Sequence, residues 1–387
     1  MQVGAMCTSY NHADWERLMA GDYSRPPTVP DPEMMDNALR LGDQIEPLGF
    51  DSLWTTEHYG SAYSMQPNPM QWLAFWAGRT ERIDMGTAVV VVPWWNPVRL
   101  AHEISMLDVM LRGRRLLLGL GRGISSHEYA SLGVPREKSR EYFYEILDIL
   151  RLADSRERFS YDGEIFQIPP TTIRPQPRHK GKLLEGARAA FTTQGSAKLA
   201  AEAGLGQMFV AGQPLSEMRT QVGQFNRIRR ERGMQPDQPT AMLWMYCAET
   251  EEEAEEGYAY YQAQQLDARN HYFVWNAAGF EGVKGYEEYK LNPKDDLDFG
   301  AASLWEHRHT QLIGTPEQIV KKAQNIQEAV SLGYLVVHAY YADMPVEKAE
   351  RSLRLFGKEV LPALHEMETP LHPHSLGAEE PLDSPAS

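Results

Sequence analysis

The segment Thr55-Thr56-Glu57-His58-Tyr59 carries the side chain best suited to proton traffic near neutral pH. It ends a stretch, Phe50 to Thr56, that reads as a strand. Alternation sets Trp54, Thr56 and His58 on one face and Leu53, Thr55 and Glu57 on the other. In a parallel barrel the C-terminal ends of strands are where enzymes keep their chemistry. The alternative for His58 is a ring satisfied by a backbone carbonyl. His338, inside the last predicted strand, is expected deeper in the fold, held by a neighbour.

A second constellation suits an anion. Gly119-Leu120-Gly121-Arg122-Gly123 follows a predicted strand. It lacks the GxGxxG spacing of a dinucleotide fingerprint, and Ile124-Ser125-Ser126-His127 does not read as a helix start. Gly121 and Gly123 would allow close backbone approach to a ligand, with Arg122 giving one charge to a phosphate. Helix N-terminal amides complete such sites. Thr192-Thr193-Gln194-Gly195-Ser196 supplies them at the start of a small-residue helix, and Thr193 and Ser196 add hydroxyls. An ordinary N-cap is the alternative. Other chemistries find no support. There is no GxSxG elbow and no P-loop, and His102-Glu103 lacks the second His of HExxH. The two cysteines, Cys7 and Cys247, make neither a CxxC nor a disulfide framework, and no metal site is expected.

The elements that position these residues alternate strand and helix. Strands are expected at Val3–Thr8, Phe50–Thr56, Ile83–Val92, Arg115–Leu120, Leu184–Thr192, Gln207–Val210, Thr240–Cys247 and Tyr334–Tyr340. Ile83 to Val92 is almost wholly apolar, as strands covered on both faces are. Asn96-Pro97 and Thr315-Pro316-Glu317-Gln318 read as helix starts with Pro at the first helical position. About eight βα units in one chain imply an α/β fold, a (β/α)8 TIM-type barrel with insertions and a single domain; an open doubly wound sheet is the alternative. The barrel is expected over residues 1–366, with insertions at 11–30, 157–180 and 266–310. Phe159 to Ile168, around Asp162-Gly163, reads as a β-hairpin. The Pro-rich, acidic residues 367–387 are expected to be flexible.

The 387 residues are 42% hydrophobic and 24% charged, and carry a net charge of −15. That balance disfavours nucleic acid and anionic membrane surfaces as partners. Apolar runs fall far short of a membrane span, and no signal peptide is visible, so a cytoplasmic location is expected.

The chain resembles the bacterial luciferase-like, flavin-dependent monooxygenases from about Val3 to Leu364. The resemblance rests on Gly49-Phe50-Asp51-Ser52-Leu53-Trp54-Thr55-Thr56-Glu57-His58, on Gly86 to Pro93 with Asn96-Pro97-Val98-Arg99, on Leu118 to Gly123 with Glu128, and on Gly314-Thr315-Pro316-Glu317. It implies a TIM-type barrel. It makes Glu57 and His58 the catalytic residues, with His58 beside the flavin, and puts a non-prolyl cis peptide at Ala88-Val89, two residues expected to bind the cofactor. Arg122, Thr193 and Ser196 would bind the FMN phosphate. Two departures stand out. Thr192-Thr193 replaces a Glu-Ser pair of luciferase, and Gly121 replaces a Cys beside the flavin, which excludes thiol chemistry there.

The resemblance further implies an oxygenase that uses reduced FMN and O2 through a C4a-(hydro)peroxyflavin. With no nicotinamide fingerprint in the chain, reduced flavin would come from a separate NAD(P)H:flavin reductase. The alternatives are a deazaflavin-dependent hydride-transfer enzyme and a non-catalytic flavin-binding paralogue. Tyr59, Tyr63, Trp94 and Trp95 lie near predicted top-face loops and suggest an apolar substrate: aldehyde, ketone, alkane or terpenoid. A homo-oligomer, dimer or tetramer, is expected. The connection 11–30 reads as a lid over the site or as an interface element.

Overall fold

The computed structural model describes residues 1–191, 193–210, 214–274 and 308–377. Its strands, in chain order, are β1 (Gln2–Met6), β2 (Ser52–Thr55), β3 (Asp84–Val91), β4 (Leu116–Gly121), β5 (Phe159–Asp162), β6 (Gln167–Thr171), β7 (Arg188–Ala190), β8 (Gly206–Val210), β9 (Thr240–Cys247), β10 (Leu312–Gly314) and β11 (Tyr334–His338). Eight of them close a barrel in the order β1-β2-β3-β4-β7-β8-β9-β11, with β11 returning to β1 and every pairing parallel. The (β/α)8 barrel read from the sequence is therefore the fold. β10 adds to the upper half of β9, and β5 and β6 form the expected antiparallel hairpin.

Local chemistry accounts for the elements. β9 is buried along its whole length, as a parallel strand under helices must be. Asn96 accepts hydrogen bonds from the Val98 and Arg99 amides and starts the helix Pro97–Met110. Thr315 and Gln318 form a reciprocal capping box on the helix Pro316–Val330. Trp54 fills the lower barrel. A Cβ on Gly86 would lie 2.2 Å from its indole, so the facing strand carries no side chain there.

The ladder between β3 and β4 breaks its register between Thr87 and Val90, where the Ala88-Val89 peptide is cis, as the resemblance implied. The Thr87 hydroxyl bridges the break. It donates to the Gly119 carbonyl at 2.9 Å and accepts from the Gly119 amide at 3.0 Å. A Cβ on Gly119 would meet the Thr87 carbonyl oxygen at 2.1 Å, a backbone atom that cannot step aside. Gly119→Ala is therefore expected to destabilise the fold by about 1–3 kcal/mol or more. Urea unfolding measures this, and an unchanged midpoint would refute the packing at this bulge.

Several expectations need correction. A helix, Ser126–Leu132, begins where none was read after Gly123; it starts in a short stretch with no apolar period, and Ser125 at its N-cap position makes no side-chain cap. β7 is only three residues long, much shorter than the strand expected over 184–192. The insertion expected at 266–310 starts as regular structure. The helix Glu251–Arg269 runs on into a π-turn, Asn270–Val274, and residues 275–307 lie outside the described residues. Part of the tail makes contacts with the barrel's helices and loops. Asn226 donates to the Ser375 carbonyl at 2.7 Å, Ser331 bonds Ser375, and Ser375 is fully buried. Residues 378–387 lie outside the described residues. No described helix is long and apolar enough to cross a membrane.

Candidate active site

His58 sits just past β2 and Glu128 in the short helix Ser126–Leu132. His271 and Tyr272 come from the π-turn, far away in sequence. The fold gathers all four. His58 Nδ1 lies 3.1 Å from Glu128 Oε1, and the same oxygen accepts the Tyr59 amide at 2.8 Å. The Tyr272 hydroxyl lies 3.2 Å from His58 Nε2. Glu128 and His271 are wholly buried, while 12% of the His58 side chain is exposed. Burial alone would raise the Glu128 carboxyl, but the facing imidazoles of His271 and His58 hold it down at about 2. An ionised Glu128 calls for His58 with its proton on Nδ1, which leaves Nε2 facing the Tyr272 hydroxyl. Tyr63 packs edge-on against the His58 ring and stacks on His271. His58 is thus held by a carboxylate and a phenol, not by a backbone carbonyl.

Glu57 points elsewhere. It is buried and accepts from the Val91 amide at 2.7 Å, from Trp95 Nε1 at 2.9 Å and from the Tyr59 hydroxyl at 3.2 Å. Burial pushes its carboxyl up to about 8 against these bonds. Three donors converging on it suit a carboxylate that pins the end of β3, just beyond the Ala88-Val89 peptide. Trp95 is spent on the same brace. Trp94 packs between Tyr59 and Tyr129.

The anion constellation also forms. Arg122 Nη2 reaches Ser196 Oγ at 3.2 Å, and Thr193 Oγ1 donates to the same hydroxyl at 3.0 Å. The Thr193 side chain also caps the helix Gln194–Glu202, accepting the Ser196 amide. One guanidinium, two hydroxyls and a helix start make a donor set that fits a phosphate. Thr192 lies outside the described residues. Gly121 keeps the approach open: a Cβ there would come within 2.5 Å of the Val89 side chain. A cysteine would crowd the cis segment.

A cavity of about 330 Å³ opens beside His58; Leu18, Ala62, Met65 and Pro67 give it an apolar side, and Asp14, Arg17 and Asp31 also line it. The connection after β1 covers it. Trp15 and Leu18 are buried, Asp14 and Arg17 pair with each other, and His12 Nδ1 meets Asp267 at 2.9 Å on the long helix. His338 is the structural histidine expected of it. It is buried, 2.8 Å from the Thr8 hydroxyl, and burial pushes it down to about 3.

His271 and Tyr272 carried no sequence signal, since they lie in a polar stretch with no period and no motif. Glu128 stood inside a matched segment, but its partner could not be read from spacing.

Comparison with known proteins agrees with this fold. The luciferase-like monooxygenase family profile matches residues 16–333. The flavin-dependent trigonelline monooxygenase, oxygenase component, of Acinetobacter baylyi is 25% identical over 345 residues, 86% of this chain and 91% of that protein. The FMN complex of the oxygenating constituent of 3,6-diketocamphane monooxygenase, from Pseudomonas putida, superposes with a TM-score of 0.68 at 22% identity, over 94% of this chain and 98% of that one. An F420-dependent secondary alcohol dehydrogenase shares the fold at a TM-score of 0.67 and 18% identity, over 94% and 98%. With most of its length matched by the family profile, the chain belongs to the luciferase-like monooxygenase family.

Proposed function

We propose that the protein is the oxygenase of a two-component system, taking reduced FMN from a separate NAD(P)H:flavin reductase and adding one oxygen atom of O2 to an apolar organic substrate. One observation carries the reading. The phosphate-type donors Arg122, Thr193 and Ser196 and the clamped imidazole His58 sit on the same barrel rim, with the Ala88-Val89 bulge and Gly121 between them. FMN, when bound, supplies the O2-activating ring. Arg122, Thr193, Ser196 and the glycine edge, Gly121 and Gly123, hold it by phosphate and close backbone approach. Ala88 and Val89, at the register break of β3, would line the face against which the cofactor binds. His58 holds or releases one proton at Nε2, oriented by Glu128 through Nδ1. Glu57 positions the end of β3 rather than reacting. Tyr59, Tyr63 and Trp94 exclude water around the imidazole, and the apolar wall of the neighbouring cavity receives the substrate. The printed name of the Acinetobacter relative, an oxygenase component, supports the separate reductase.

Titration with FMN and with a deazaflavin tests the cofactor. FMN is expected to bind and to support oxygenation. Productive hydride transfer with the deazaflavin alone would overturn the reading.

The cover over the cavity gives a further expectation. His12→Ala removes the tie between the connection after β1 and Asp267. Water then reaches the site, and H2O2 released per product formed is expected to rise severalfold while FMN still binds. A coupled peroxidase assay reads the ratio; an unchanged ratio would make the connection structural only.

A further inference from the structure

We propose that His58, Glu128 and His271 form a site for one divalent transition-metal ion of the zinc and cobalt type, and that metal bound there takes His58 out of proton handling and stops turnover. Three ligand atoms, one from each residue, lie within 4.8 Å of one another. The Glu128 carboxylate reaches both rings, through a different oxygen for each: His58 Nδ1 lies 3.1 Å from Oε1, and His271 Nε2 lies 3.3 Å from Oε2. Metal bonds of ~2.1 Å in a tetrahedral site need edges of ~3.4 Å. Rotation of the two imidazoles and the carboxylate would bring the three atoms from within 4.8 Å to that spacing.

The second observation is an unmet pair. Glu128 Oε2 and His271 Nε2 face each other, wholly buried, outside hydrogen-bond geometry, and neither has another partner among the described residues. Buried polar atoms are rarely left so, and a bound cation would satisfy both. The surroundings are those of a ligand set. Metal-bound histidines pass their other ring nitrogen to a fixed partner. His271 Nδ1 lies 2.7 Å from the Ser61 hydroxyl, His58 Nε2 3.2 Å from the Tyr272 hydroxyl, and Glu128 Oε1 holds the Tyr59 amide. Two imidazoles and one carboxylate select transition metals over magnesium or calcium. The cavity lined by His58 and Ser61 is the way in. On binding, the His58 tautomer changes: Nδ1 ligates and Nε2–H donates to Tyr272. Metal on Nδ1 fixes the ring's remaining proton on Nε2, so the metal-bound ring no longer exchanges a proton there.

The binding half stands without the proposed function; the inhibition half rests on it. Full-length protein stripped with EDTA is titrated with Co2+, read by its visible d–d bands, and with Zn2+ in competition. One equivalent is expected, with the intense bands of a low-coordinate site. Ser61→Ala should weaken binding by roughly 10–100-fold, the usual cost of losing an outer partner, and His271→Ala by more. Binding that is weak, or equal in wild type, Ser61→Ala and His271→Ala, would overturn the site. If His271→Ala does not fold, Ser61→Ala decides. Zn2+ should inhibit oxygenation at its binding midpoint, and EDTA should reverse it. Stoichiometric binding without inhibition would overturn the inhibition half. A protein that oxygenates nothing yet binds one equivalent of Co2+ in a Ser61-dependent way would overturn the proposed function and uphold the metal site.

Discussion

His58→Ala is expected to cut product formation by about 10²–10⁴-fold, the range that a positioned acid–base group contributes. The fold should survive, because His58 lies at the mouth of the barrel and its ring contacts are edge-on packing against Tyr63, His271 and Tyr272. The reductase should go on consuming NAD(P)H, and reduced flavin should then yield H2O2 rather than product. Product and peroxide are measured together with the unfolding midpoint. A variant that turns over near the wild-type rate would remove His58 from the chemistry and leave it a packing residue. Loss of turnover with a collapsed midpoint would show that the ring is needed for the fold.

Arg122→Ala is expected to weaken FMN by about 1.5–3 kcal/mol, roughly ten- to a hundredfold, the worth of a charge-assisted contact to phosphate. Riboflavin carries the same ring without the phosphate, so its affinity should change little. The guanidinium is anchored through Ser196, which Thr193 also holds, so its fork is pre-aimed at the helix start. Fluorescence titration with both flavins separates the outcomes. Equal losses for the two would place Arg122 against the ring or in the scaffold.

Much of this architecture was legible in the sequence because it is written in local chemistry. The almost wholly apolar run Ile83 to Val92, the Asn96-Pro97 start and the Thr315 capping box each fix an element from within a few residues. Counting βα units then left a closed barrel as the simplest arrangement. His58, Arg122, Thr193 and Ser196 were readable because each sits at an element end. What was not readable depends on contacts across the chain. Glu57 beside His58 looks reactive, yet alternation turns it toward Val91 and Trp95, where it braces β3. Nothing near His271 announces that the long helix carries it to Glu128. The tail's composition reads as solvent-loving, but Ser375 finds buried partners in Asn226 and Ser331. The π-turn and the short helix after Gly123 have no sequence period of their own, so tertiary contacts decide them.

Oxygen transfer from O2 at a flavin site ordered by His58 and Arg122 is tested most directly by running the protein under isotopically heavy O2, with reduced FMN regenerated by a separate flavin reductase. A panel of apolar aldehydes, ketones, alkanes and terpenoids is screened, and products are weighed by mass spectrometry. The expected result is a product that has gained one heavy oxygen atom, at a rate that collapses in His58→Ala. Products formed by hydrogen removal alone, without heavy oxygen and without need of O2, would contradict oxygen transfer at this site.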